Sequence, residues 1–226
     1  MSKGRLIVLE GLDGSGKSTQ LELAENVLKN MGLKYRVISF PNYSSPSGQI
    51  ITSYLKGEIA CDGMNGAYSA SSFYAVDRYI SFVSDWKKDY DDGAVILCGR
   101  YTSSNAIYQM TKLDKSEYDE YLAWLHDYEH KKLGLPEADL VLFLDMPLEI
   151  SQRLLTKRYE GDESKKDIHE SSIAFLRSCY ESAVYAGKQY GWKFISCGKD
   201  NEARSISDIH SDVSVVIKEM VSDGRA

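Results

Sequence analysis

The chain has 226 residues, of which 43% are hydrophobic and 27% charged, and its formal net charge is −6. This length allows one α/β domain with a large core, and the acidic balance argues against a general nucleic-acid surface. No apolar run reaches the roughly 20 residues of a membrane-spanning helix, and the run at residues 6–9 is too short for a signal peptide. We therefore expect a cytoplasmic protein with four reduced thiols, at Cys61, Cys98, Cys179 and Cys197.

The first predicted element is an apolar strand at residues 5–10 that leads directly into the motif G-x-x-x-x-G-K-[ST]. A helical pattern at residues 18–31 follows, which is the strand–loop–helix context of a phosphate-binding loop, or P-loop. Glycines allow backbone N–H groups to close on phosphate oxygens. Lys17 can reach the outer phosphates, and the Ser18 hydroxyl suits Mg²⁺. The predicted ATP-binding residues are Gly11, Leu12, Asp13, Gly14, Ser15, Gly16, Lys17, Ser18 and Thr19.

Strands and helices alternate along the rest of the chain. Further strands are predicted at residues 35–40, 94–98, 139–145 and 192–197. Predicted helices cover residues 46–57, 67–90, 103–110, 116–133 and 147–156, and two more end near residues 190 and 220. Such alternation favours a parallel sheet with right-handed crossovers. We predict one α/β domain over residues 1–226, a P-loop NTPase-type three-layer fold with a five-stranded parallel sheet in the order 2-3-1-4-5.

Polar signals follow three of these strands, where ligands of parallel sheets bind. They are the loop after Glu10, the corner at residues 40–43, and the segment Gly99-Arg100-Tyr101 after the third strand. Tyr74 and Arg78 lie four residues apart on one helical face, where a ring can stack on a base and a guanidinium can bind a base oxygen or a phosphate. The plainer alternative is a core tyrosine and an arginine paired with a surface acid. No N-K-x-D element of GTPases is found, so a small kinase with a second, anionic substrate is favoured.

Four sequence blocks together resemble thymidylate kinases. The last block is specific to that family, whereas the first is shared by many kinases. The similarity runs from about residue 5 to residue 197. The resemblance implies transfer of a phosphoryl group from Mg·ATP to dTMP, giving dTDP, by a homodimer formed through helices on one side of the sheet. The blocks cover residues 9–20, 40–43, 74–78 and 100–109, and Gly134-Leu135-Pro136 also fits.

The resemblance also implies a role for each matching residue. Tyr74 would stack on thymine, a position usually held by Phe, and Arg78 would donate to the base. Arg100 would hold the acceptor phosphate, and Tyr108 would lie beside the sugar and disfavour a ribose 2′-hydroxyl. The other implied substrate contacts are Phe40, Leu55, Ser104 and Asn105. The implied catalytic residues are Lys17, Arg100, Arg158 and Asp13, and the implied metal-binding residues are Ser18, Asp13 and Glu170.

A charged segment at about residues 157–168 would form a lid that closes over ATP. The P-loop carries Gly14 and Ser15, so the lid would supply the catalytic positive charge that some relatives place in the P-loop. Arg158 is the first candidate. Arg153 is the alternative, and the weaker candidates are Lys165 and Lys166 because an ammonium lacks the planar fork of a guanidinium.

One position departs from the family pattern. Gly99 precedes Arg100, where family members normally have Asp. Losing that carboxylate could slow transfer without abolishing nucleotide binding. Two alternatives therefore stay open: a kinase for another deoxynucleotide or a deoxynucleoside, and a nucleotide-binding relative that is catalytically weakened at Gly99.

Overall fold

The computed structural model describes residues 3–62, 65–158 and 173–222. Its centre is a parallel sheet of five strands: β1 (Arg5–Gly11), β2 (Tyr35–Ser39), β3 (Val95–Gly99), β4 (Leu140–Asp145) and β5 (Lys193–Ser196). Their order in the sheet is β2-β3-β1-β4-β5, which confirms the predicted order. The strands β1 and β3 are rich in Leu, Ile and Val and buried along almost their whole length, as expected for strands covered on both faces.

Helices cover both faces of this sheet. Side chains of β1 alternate between the two layers, with Ile7 and Leu9 packing on one and Leu6 and Val8 on the other. The first layer includes α1 (Lys17–Asn30) and α9 (Ile206–Ser222). The second layer has two clusters: Leu6 and Val8 pack against residues 82–90, and Phe143 packs against α5 (Thr102–Tyr108), α6 (Tyr118–His126) and α8 (Ile173–Tyr190). The other helices are α2 (Pro46–Leu55), α3 (Gly66–Ser81), α4 (Lys87–Asp91) and α7 (Leu148–Arg158).

Two of the predicted long helices contain a π-helical turn. The helix predicted at 67–90 consists of α3, a π turn at Phe82–Trp86, and α4. The helix predicted at 116–133 begins with a 3₁₀ turn, continues as α6 and ends in a π turn at Asp127–Lys132. A π turn adds a residue to the helical turn and shifts the face that later side chains occupy.

The remaining differences are small. A two-stranded hairpin of β6 (Gly198–Lys199) and β7 (Glu202–Ala203) was not expected. The last strand begins and ends one residue inside its predicted limits, and α2 ends two residues before residue 57. Within the residues that the structure describes, no helix has both the length and the apolar character needed to cross a membrane.

Candidate active site

The loop between β1 and α1 depends on glycine at its centre. Gly14 has φ of 78°, and a Cβ there would lie 2.7 Å from the backbone oxygen of Ser151 in α7. Gly16 has φ of 86° and precedes the first residue of α1. These left-handed conformations suit glycine, and they turn the loop around the positive end of α1. The loop therefore has the backbone of an anion site.

Lys17 lies across this loop. Its Nζ donates hydrogen bonds to the backbone oxygens of Gly11, at 2.7 Å, and Leu12, at 2.9 Å, and lies 4.0 Å from the carboxylate of Asp13. The next residue, Ser18, is exposed at the start of α1. The ammonium and the hydroxyl predicted to contact nucleotide phosphates thus lie side by side at the end of β1.

Arg100 connects this loop to the end of β3. Its Nη2 donates to Oδ1 of Asp13 at 2.6 Å, and its guanidinium carbon lies 5.0 Å from the ring centroid of Tyr108. Its φ is 64°, and its backbone N–H donates to the oxygen of Leu9 at 3.1 Å. A left-handed residue other than glycine costs about 1–2 kcal/mol, so these contacts hold Arg100 in an unfavourable backbone conformation at the edge of the sheet.

A cavity of about 140 Å³ lies beside Arg100. Tyr74 forms part of its wall and packs edge-on against Tyr54, with ring centroids 6.3 Å apart. Burial raises the pKa of the Tyr74 hydroxyl above its ordinary value, so the ring is neutral at physiological pH. The structure brings all eight predicted substrate residues to the wall of this one cavity, together with Asp13: Phe40, Leu55, Tyr74, Arg78, Arg100, Ser104, Asn105 and Tyr108.

Arg78 is buried and paired with an acid from the second helical layer. Its Nε and Nη2 donate to the two carboxylate oxygens of Glu129, at 2.7 and 2.6 Å, and its Nη1 donates to the oxygen of Tyr101 at 3.3 Å. Glu129 also accepts from Nδ2 of Asn105 at 3.0 Å. The alternative of a surface ion pair for Arg78 is therefore wrong, because its acidic partner is completely buried. Arg78 also lines the cavity.

Glu10, at the carboxyl end of β1, holds the start of α5. Its Oε1 accepts from the backbone N–H of Tyr101 at 3.2 Å and from the hydroxyls of Ser103 and Ser104, both at 2.8 Å. Ser104 therefore lines the cavity with its hydroxyl proton already donated to Glu10, which leaves its oxygen lone pairs for a substrate.

Asp77 holds the corner that follows β2. Its carboxylate accepts from the backbone N–H of Asn42 at 2.9 Å and from the hydroxyls of Ser45, at 3.1 Å, and Ser47, at 2.7 Å. This fixes the segment that carries Phe40 to the cavity wall.

Sequence reasoning assigned no role to Glu10, Asp77 or Glu129. All three are fully or almost fully buried. Each lies in an apolar strand or on an apolar helix face. An acid in such a place is expected to be buried, and a buried carboxylate requires hydrogen-bond donors around it, so this pattern could have indicated a structural role.

Gly99 is the last residue of β3, between Leu9 of β1 and Ser39 of β2. A Cβ at this position would lie 3.0 Å from Oγ of Ser39 and 3.2 Å from Cδ2 of Leu21 in α1. An Asp here would thus extend from the sheet towards α1, where the side chains of Ser39 and Leu21 leave little room for it.

The predicted lid residues are only partly within the described chain. Lys165, Lys166 and Glu170 lie outside the described residues, as do residues 159–168 of the predicted lid, and nothing is described of the Arg158 side chain at the end of α7. Arg153 donates to the backbone oxygen of Asn201 at 2.5 Å, in the β6–β7 hairpin. Among the described residues, no group of three or more His, Cys, Asp or Glu side chains could hold a metal ion.

Comparisons with known proteins agree with this geometry. A thymidylate kinase from Mycobacterium tuberculosis is 27% identical over 86% of this chain and 92% of that protein. One from Plasmodium falciparum is 29% identical over 93% of this chain and 88% of that protein. The solved thymidylate kinase of Candida albicans superposes with a TM-score of 0.70, at 23% identity over 97% of this chain and 93% of that one, and so supports the fold. The family model for thymidylate kinase matches residues 9–209, and the chain therefore belongs to the thymidylate kinase family of enzymes.

Proposed function

We propose that the protein transfers the γ-phosphoryl group of ATP to dTMP, giving dTDP. The observation that carries this proposal is the cavity beside Arg100. It has an aromatic and apolar wall for a base at one side, and at the other it reaches Asp13 of the P-loop. A nucleoside monophosphate bound there would present its phosphate next to the P-loop.

The catalytic contribution of the chain would be positioning and charge neutralisation. Lys17 and the loop backbone would hold the donor phosphates, and Arg100, with Asp13, lies between this loop and the acceptor cavity. An acceptor phosphate oxygen attacks without a strong general base, so alignment and positive charge supply most of the rate. Release of the Lys17 ammonium from its carbonyl contacts would accompany ATP binding.

The cavity wall supplies the contacts for a deoxynucleoside. Tyr74 would stack on the base, with Phe40 and Leu55 as the apolar wall of the slot. Tyr108, whose ring lies against Arg100, would contact the sugar. Burial raises the pKa of the Tyr108 hydroxyl well above its ordinary value, so this side chain remains neutral next to the acceptor phosphate.

The P-loop residues fit a phosphate-bound Mg²⁺. The exposed Ser18 and the carboxylate of Asp13 provide the hard oxygen ligands that Mg²⁺ prefers. Two protein ligands are enough for this ion, because its other ligands are usually waters and phosphate oxygens. Bound Mg²⁺ would neutralise charge on the β- and γ-phosphates. Glu170 would contribute from beyond the lid at residues 157–168, and Arg158 would add positive charge.

We further infer a homodimer in a reducing cytoplasm. Four apolar side chains on one face of the helix of α3 and its π turn are 39–48% exposed: Val76, Tyr79, Ile80 and Val83. A second copy of this chain would cover them. The four cysteines are buried and free, which supports a reducing compartment.

A panel of acceptors tests the reaction. In a coupled ADP-release assay we expect dTMP to give the highest kcat/KM among dTMP, dUMP, dCMP, dGMP and thymidine. Arg100→Ala should lower kcat/KM for dTMP at least about 100-fold because a charge-neutralising donor is lost. The control Arg36→Ala removes a guanidinium that pairs with the surface acids Asp85 and Asp89 and should leave the rate unchanged. Faster turnover of dGMP or dUMP than of dTMP would contradict the proposal.

A further inference from the structure

Glu129 is completely buried, yet it contacts two residues of the cavity wall. It lies in the π turn after α6, and its carboxylate forms a two-point ion pair with Arg78. The same Oε1 that accepts from Arg78 also accepts from Nδ2 of Asn105 at 3.0 Å. One buried carboxylate thus holds both the guanidinium and the carboxamide that line the base side of the cavity.

These contacts determine which way the Asn105 carboxamide faces. Its Nδ2 donates to Oε1 of Glu129 and to the backbone oxygen of Ser71 at 3.2 Å. A carboxylate and a carbonyl only accept, so the amide nitrogen must face them and Oδ1 must face away. Within the described part of the chain, no donor is hydrogen-bonded to that Oδ1. Asn105 therefore offers the cavity an acceptor and no donor.

Arg78 offers the opposite chemistry. A guanidinium has five N–H donors, and three of them are engaged, two by Glu129 and one by Tyr101. The remaining donors belong to a side chain that lines the same cavity as Asn105. The cavity wall thus presents a fixed acceptor and a fixed donor.

This pair matches one kind of pyrimidine edge. Thymine and uracil present an N3–H donor beside the O4 acceptor, which pairs with the Asn105 oxygen and an Arg78 N–H. Cytosine presents the reverse, an N3 acceptor beside an amino donor. Its N3 would face the Asn105 oxygen, so two acceptors would meet, and its amino group would face an Arg78 N–H, so two donors would meet. Such mismatched buried polar groups reject a ligand strongly.

We propose that Glu129 is the positioning residue that makes the cavity selective for an imide-bearing pyrimidine over cytosine. It acts through Arg78 and Asn105 and does not itself contact the substrate. The inference rests on the proposed function, because it assigns the base selectivity of the same cavity.

The test compares dTMP with 5-methyl-dCMP, which has the shape of dTMP but the hydrogen-bonding edge of cytosine. In Glu129→Gln the amide nitrogen faces an Arg78 N–H in either orientation of the new carboxamide, so the two-point pair that holds Arg78 is broken. When that nitrogen takes the place of Oε1, it also faces Nδ2 of Asn105, and the Asn105 carboxamide is no longer held. We expect the ratio of kcat/KM for dTMP to that for 5-methyl-dCMP to fall at least 20-fold, with KM for ATP unchanged. Glu129→Asp retains a group that only accepts, so it should keep the wild-type ratio even at a lower rate.

The control Glu120→Gln makes the same chemical change at an exposed position of α6 and should not alter the ratio. Equal losses on both substrates in Glu129→Gln would show a merely structural role and overturn the inference. Wild-type protein that does not phosphorylate dTMP would instead overturn the proposed function itself.

If Glu129→Gln does not fold, NMR of the wild type decides. The side-chain amide protons of Asn105, identified by their loss in Asn105→Ser, should exchange slowly with solvent both without and with dTMP, because Glu129 and Ser71 accept both of them. Rapid exchange in the protein without dTMP would show that the carboxamide is free to turn and would overturn the inference.

Discussion

At the scale of single residues, the site is built from charged groups that restrain one another. Asp13 pairs with Arg100 and lies near Lys17, so two cations at the edge of the sheet share one carboxylate. The family resemblance places a second acid before Arg100, where this chain has Gly99. Because Asp13 already neutralises Arg100 and approaches Lys17, an acid at position 99 is not required to hold these two cations.

We therefore expect Gly99→Asp to change kcat for dTMP by less than about fivefold. The variant should also lose about 1–2 kcal/mol of unfolding free energy, because its Cβ would lie close to Ser39 Oγ and Leu21 Cδ2. Steady-state kinetics and denaturant unfolding measure the two effects.

The control is the double variant Ser39→Ala/Gly99→Asp, which removes the nearer of the two contacts and should recover part of the lost stability. A 100-fold rise in kcat on introducing Asp would show instead that Gly99 weakens the wild-type enzyme.

At the scale of secondary-structure elements, the sequence predicts the strands and the P-loop well because their signals are local. The apolar runs of β1 and β3 and the G-x-x-x-x-G-K-[ST] spacing each lie within a few residues. The π turns were not predicted because a shifted hydrogen-bond pattern leaves little trace in hydrophobic periodicity. The partners of Arg78 were missed for a related reason, since Glu129 is 51 residues away and reaches it only through the packing of the second π turn.

The corner after β2 depends on an element that is distant in sequence. Asp77 of α3 accepts three hydrogen bonds from residues 42–47, and this joins α3 to the wall that carries Phe40. Asp77→Ala leaves these donors unpaired, so we expect a loss of about 2–3 kcal/mol of unfolding free energy. We also expect a several-fold higher KM for dTMP. The KM for ATP should change little, because the P-loop joins β1 to α1 whereas the corner follows β2. Thermal unfolding and initial-rate kinetics measure these effects.

Asp91→Ala is the matched control for this variant. Asp91 is exposed and pairs with Lys87 on the surface of α4, so its removal should change stability by less than about 0.5 kcal/mol. An equal rise in both KM values in Asp77→Ala would argue that Asp77 supports the fold as a whole and not the corner.

At the scale of the whole molecule, the order of the five strands follows from right-handed crossovers and the central place of β1, so the sequence pattern was sufficient to predict it. The oligomeric state could not be predicted in this way, because a contact surface between two copies is visible in a single chain only as apolar side chains that remain exposed. The face of Val76, Tyr79, Ile80 and Val83 has helical spacing that predicts a buried stripe, yet these side chains are 39–48% exposed in one chain. The proposed homodimer would account for both facts.

A charge placed on this face tests the proposed dimer. Ile80→Glu introduces a charge at the centre of the apolar stripe, where two copies related by a twofold axis would each have to bury it. We expect light scattering to give about twice the 25.4 kDa mass of one chain for the wild type and the single-chain mass for the variant at the same concentration. The variant should keep its thermal stability in dilute solution, because residue 80 is 42% exposed in the monomer.

Lys218→Glu, an exposed charge change on α9, should leave the mass at the dimer value. A wild-type mass of one chain at micromolar concentration would contradict the dimer and leave the exposed stripe to another partner.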